Sequence, residues 1–151
     1  LRVLGLLWRA ALLPGPKALR DAGTGSDALT GTIVSGEGVG HGLGYPTANV
    51  LVDDGAPTPD DGVYLGEFRV RSWAASRPAL VSIGSNETFP GREGTVEVHV
   101  LDFDGDLYGQ RAEIRCGDLI RVQRAFACEG ELTDAMRDDE RDARRLLAAR
   151  R

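Results

Sequence analysis

Between Thr30 and Phe126 the chain breaks into seven short runs rich in β-branched and aromatic residues, at 30–35, 48–52, 62–71, 78–84, 94–103, 111–116 and 118–126. Gly, Pro and Asp punctuate these runs, and no stretch of helical period separates one from the next. Such spacing argues against alternating βαβ units and for a small antiparallel barrel or sandwich. Asp104-Gly105, lying between two runs, is a two-residue turn signal and predicts a hairpin at that point.

The flanks read differently. Residues 1–29 hold an apolar stretch, a Pro14-Gly15-Pro16 breaker, a short helical turn from Lys17 to Ala22 and a Gly/Ser linker, and are expected to form a short helical N-terminal extension. Arg2 and Arg9 interrupt the apolar stretch, which ends at Leu13 and falls short of the roughly 18–20 residues a membrane span requires. From residue 130 the period changes again. Leu132, Ala135, Met136, Ala143, Leu146 and Leu147 fall on one stripe and predict a C-terminal helix, so residues 30–151 are expected to be a barrel closed by that helix. Asp134, Asp138, Asp139 and Glu140 lie early in it and Arg144, Arg145 and Arg150 late, as the helix dipole favours, and are expected on the solvated face. Glu140 and Arg144 have the spacing and order of a stabilising i,i+4 pair.

A chain of 151 residues is one ordinary domain. Its 23 acidic against 18 basic residues, a formal charge of −5, argue against a general nucleic-acid binder. Cys116 and Cys128 lack the number and spacing of a disulfide framework or a metal cluster, and are expected to be buried or half-buried free thiols in the cytoplasm.

Glycine, at 20 residues, is the compositional outlier, and it concentrates in Gly36-Glu-Gly-Val-Gly-His-Gly-Leu-Gly-Tyr-Pro-Thr-Ala-Asn49, where every second residue from 36 to 44 is Gly. The spacing fits neither a dinucleotide fingerprint nor a P-loop. What remains is a loop of exposed backbone N–H groups, suited either to nesting around a phosphate or to a plain surface turn. Pro46 fixes the backbone at its exit and pushes Tyr45 toward an extended shape. If 47–49 then run extended, Thr47 and Asn49 point to one side as paired neutral oxygen ligands, the kind Mg²⁺ accepts when phosphates supply the charge.

In Val96-Glu97-Val98-His99-Val100 the alternation turns three valines one way and Glu97 and His99 the other. Glu97 is a candidate general base and His99 reads as an ordinary outward polar residue. Asp102, Asp104, Asp106 and Glu113 imitate the acidic skeleton of an EF-hand, but Leu107 stands where the sharp-turn glycine is needed and the flanks are strands.

Taken in order, the Gly-Leu-Gly-Tyr-Pro-Thr-Ala-Asn block, Gly62-Val-Tyr, Ser82-Ile-Gly-Ser-Asn86, Val96-Glu-Val-His-Val-Leu-Asp102, Asp106-Leu-Tyr-Gly109 and Ile120-Arg121 closely resemble riboflavin kinase (flavokinase) over about residues 30–145. The resemblance implies a mainly β fold, a six-stranded Greek-key antiparallel barrel with a C-terminal helix. It further implies transfer of the ATP γ-phosphoryl group to the riboflavin 5′-hydroxyl, giving FMN and ADP. By the same resemblance Gly38, Gly40, His41, Gly42, Gly44, Pro46, Thr47 and Asn86 would bind the nucleotide, Thr47 and Asn49 would hold Mg²⁺, Glu97 would be the catalytic base, and Arg121 and Tyr108 would lie at the flavin. Three positions depart from the family pattern: His41 replaces a basic residue, Glu87 a proline, and Gln123 a glutamate. Those departures leave open a catalytically weak flavin- or nucleotide-binding sensor of the same fold, or a kinase for a related flavin analogue. In many bacteria the module follows an adenylyltransferase domain. About 29 residues precede the barrel here, so FMN adenylylation is not expected, and neither is a nucleic-acid, membrane or protein partner beyond a monomer.

Overall fold

Alternation along each strand sorts the side chains into an inside and an outside. Val96, Val98 and Val100 are buried, as are Phe68, Val70, Ala79, Val81, Ile83, Val50, Ile33 and Ile114, and together they fill one continuous core. Fully burying a side chain such as Phe68 contributes about 1.5–3 kcal/mol, so this alternation is what drives the sheet to close on itself. The computed structural model describes residues 28–34, 44–55, 58–84 and 95–151. The expected N-terminal helical extension lies outside them.

Six strands, β1 (Leu29–Val34), β2 (Ala48–Val52), β3 (Gly62–Val70), β4 (Arg77–Ile83), β5 (Thr95–Val100) and β6 (Arg111–Arg121), form a closed antiparallel barrel in the order β1-β2-β5-β4-β3-β6. A single helix follows, α1 (Glu129–Ala149). It packs Leu132, Ala143, Met136, Leu146 and Leu147 onto an outer apolar patch of Val63, Leu65, Leu80 and Leu101, which forms a second core outside the barrel wall.

Two expectations need correction. The hairpin at Asp104-Gly105 does not form, because β5 pairs with β2 and β4 while β6 pairs with β1 and β3. The connection turns at Asp102, which adopts φ 56°, and is then captured by β1. Gly109 N–H donates to Ile33 O at 2.8 Å, and Ile33 N–H donates to Gln110 O at 3.0 Å. Long-range hydrogen bonds thus override a good local turn signal. The runs at 111–116 and 118–126 are likewise not two strands. The first and the start of the second join into β6, and residues 122–126 lie beyond it. Gly117 is the joint: a Cβ there would sit 2.7 Å from Leu65 O, and one at Gly66 would run into the Arg115 carbonyl. Gly66, which pairs with Cys116, and Gly117 next to that partner let β3 and β6 approach across a register shift, so Gly117 marks a bulge and not a turn.

The two thiols differ sharply in surroundings, and the expectation of burial holds for Cys116 but fails for Cys128. Cys116 packs against the inner core, and burial pushes its thiol up to about 11, whereas Cys128 is exposed before α1. A thiol reagent at mildly alkaline pH is therefore expected to label Cys128 quickly and Cys116 only once urea opens the barrel. Equal labelling rates in the folded chain would contradict this packing.

Candidate active site

The register of the barrel assembles the site. Asn49 on β2 faces Glu97 on β5, Glu97 faces Ser82 on β4, Ser82 faces Val63 on β3, and Val63 faces Arg121 on β6. Directly opposed residues share a sheet face, so Asn49, Glu97, Ser82 and Arg121 stand in one row on the outer wall. Their inward neighbours Val50, Val96 and Val98 are the core, which pins the row outward: a one-residue slip would bury it.

Thr47 precedes the first residue of β2 and is half-buried, as are Asn49 and Glu97. The strand entry is clasped from β5, where His99 Nδ1 donates to Pro46 O at 2.9 Å. Because a carbonyl only accepts, the proton belongs on Nδ1. The His99 ring also meets Tyr45 edge-on, with centroids 5.5 Å apart. His99, read from the sequence as an ordinary outward residue, is thus a structural partner of the motif. Its place two residues after Glu97, on the same face, was the available signal.

In the sequence Gln123 stands only as a lost carboxylate. Its Nε2 donates to Ser82 Oγ at 2.8 Å and Ile83 O at 2.9 Å, with Gly62 O at 3.4 Å. An ionised carboxylate has no proton to offer these acceptors. The amide therefore ties the ends of β3 and β4 beside Glu97's neighbour, while its buried Oε1 has no hydrogen-bond partner among the described residues. Ser82, quoted within a motif but given no role, joins the site by register alone.

Arg121 ends the row, and its guanidinium is engaged: Nε and Nη2 donate to Asp139 of α1 at 2.7 and 2.9 Å. Asp139 is 5% exposed, so the expectation of a solvated face fails at this residue. Burial pushes the Asp139 carboxyl upward, against the pull of Arg121. The Glu140–Arg144 pair forms as expected, and Arg144 also binds Asp102, whose carboxyl it holds below the usual carboxylate range. Tyr108, 61% exposed, sits in the β5–β6 connection, which Gly109 fastens to the end of β1. The register therefore sets Asn49 beside Glu97, with Pro46 and Thr47 just ahead on the chain, and puts Arg121 at the far end of the same row, while Tyr108 lies in the connection fastened to the end of β1. Gly44 turns the chain at φ 83° ahead of Tyr45, while Gly38, Gly40, His41, Gly42 and Asn86 lie outside the described residues.

The flavokinase family, described as riboflavin kinase, matches residues 26–147. The chain belongs to the riboflavin kinase family. A bifunctional riboflavin kinase/FMN adenylyltransferase of Listeria monocytogenes is 34% identical over 119 residues, which is 78% of this chain but 37% of that longer protein. The riboflavin kinase of Trypanosoma brucei superposes with TM-score 0.57 at 28% identity, over 80% of this chain and 79% of that one. A Streptococcus pneumoniae structure described as a macrolide-efflux protein superposes with TM-score 0.70 at 34% identity, over 78% of this chain and 38% of that one. That name concerns the longer chain. Among the described residues, no helix of this flavokinase barrel is long and apolar enough to cross a membrane.

Proposed function

We propose that this chain is an ATP-dependent riboflavin kinase, working in the cytoplasm as a monomer on riboflavin and ATP. The observation that carries the proposal is the in-register pairing of Asn49 with Glu97 on the outer wall, with Thr47 two residues before Asn49, in a chain of this family. Glu97 takes the proton from the riboflavin 5′-hydroxyl as that oxygen forms its bond to the γ-phosphorus. The bond from the γ-phosphorus to the β,γ-bridging oxygen breaks, and ADP departs with the electron pair. Little covalent chemistry is asked of the protein, which mainly positions the reactants and offsets charge.

Thr47 and Asn49 present neutral oxygens beside one carboxylate. Among the described residues no three His, Cys, Asp or Glu side chains gather into a metal cage. That donor set suits Mg²⁺ sharing its coordination with phosphates, and when bound the ion would neutralise charge on the transferring group. Gly38, Gly40, His41, Gly42, Gly44 and Asn86 are proposed to surround the nucleotide. Tyr108 offers an exposed aromatic face to the isoalloxazine. Arg121, held by Asp139, would serve as a fixed wall of the flavin site.

The test is turnover of the purified chain with riboflavin, ATP and MgCl₂. FMN and ADP are expected in equal amounts, and both should vanish with EDTA. Flavin binding without FMN would replace the kinase with a binding module.

A further inference from the structure

We propose that His99 is a positioning residue for the nucleotide half of the site, acting through the peptide group that joins Pro46 to Thr47. The inference rests on the reading of Thr47 as a ligand-facing residue. The oxygen that accepts from His99 Nδ1 belongs to that peptide group, whose six atoms are close to coplanar. Holding the oxygen therefore sets the plane that carries Thr47 N, and with it the direction in which Thr47 leaves the strand.

Among the described residues the sheet does not do this by itself. The β2–β5 ladder begins at Ala48 opposite Val98, one residue after Thr47. Upstream, Pro46 has no N–H with which to join a ladder, and Gly44 takes a left-handed φ with nothing within 4 Å of its Cβ position among the described residues. The clasp from His99, together with the Tyr45 ring against the imidazole, is what ties this entry to β5. His99 lies two residues from Glu97 on the same outward face, so one strand carries both the candidate base and the group that orients the metal-facing hydroxyl. Nδ1 keeps its proton whether the ring is neutral in that tautomer or doubly protonated, so the clasp needs a donor at that position and no particular charge.

The experiment compares His99→Asn, which keeps an N–H donor close to the Nδ1 position, with His99→Leu, of similar shape and without a donor. Calorimetric titration of the full chain with Mg·ATP is run beside fluorescence titration with riboflavin, with a melting curve for each variant. His99→Leu is expected to weaken Mg·ATP binding about five- to tenfold, the worth of one hydrogen bond. His99→Asn should stay within about twofold of the starting chain, and riboflavin affinity should hold in both. A folded His99→Leu that binds Mg·ATP as tightly as His99→Asn would overturn the proposal. Should the Leu variant not fold, a folded His99→Asn that has lost Mg·ATP affinity overturns it equally. Failure of the starting chain to bind Mg·ATP would remove the kinase reading itself, a separate outcome.

Discussion

Glu97→Gln is expected to lower kcat by about 100- to 10,000-fold, the usual worth of a positioned general base. The amide keeps the size of the carboxylate beside Asn49 and Ser82, its register neighbours, so the barrel wall is undisturbed. It cannot accept the proton of the riboflavin hydroxyl. Riboflavin affinity and melting temperature should therefore change little while turnover falls. Phosphoryl transfer depends chiefly on positioning, which makes the lower end of that range the safer expectation. Single-turnover FMN formation measured beside riboflavin titration separates the effects. A variant with unaltered turnover would remove Glu97 from the chemistry.

Asp139→Ala should be the most damaging single change to stability outside the barrel core, by about 3–5 kcal/mol in urea unfolding. It leaves the guanidinium of Arg121, whose side chain is 17% exposed, without its carboxylate between α1 and the wall. Exposed helix pairs such as Arg137–Asp134 and Arg141–Asp138 are a useful contrast, since their loss should cost about 1 kcal/mol or less. Burial raises the Asp139 carboxyl even with Arg121 against it, so desolvation consumes much of what the pair gains. A double replacement, Arg121→Met with Asp139→Leu, is accordingly expected to recover most of the lost stability. If that double variant were less stable than Asp139→Ala, the pair would be a net contributor in its own right. Because Arg121 shares the outward row with Glu97, the same variants report whether a fixed guanidinium matters to riboflavin affinity.

Which way several candidate side chains point is legible in the sequence. Period-two alternation placed Glu97 opposite in sense to Val96 and Val98, and the extended Pro46–Asn49 stretch placed Thr47 beside Asn49, since a strand's faces follow from local geometry. Asp139 shows where that reading stops. Its spacing put it among acids suited to a solvated early helix, and only the approach of β6 made it a buried partner of Arg121. Gln123 makes the same point from the other side. As a letter it was a missing carboxylate, and in the fold it is a donor to the ends of two strands.

The sequence by itself determined which strand residues face in and which face out, and that the last segment is an amphipathic helix, because these depend on spacing within one element. The tertiary structure decided which elements meet. It refused the hairpin at Asp104-Gly105, joined 111–121 through Gly117, and set Asn49, Glu97 and Ser82 side by side across three strands. It also brought His99 to Pro46, 53 residues away in the chain. Pairing of this kind is settled by closure of the barrel, where every strand must find two partners at once, and no local pattern encodes that choice.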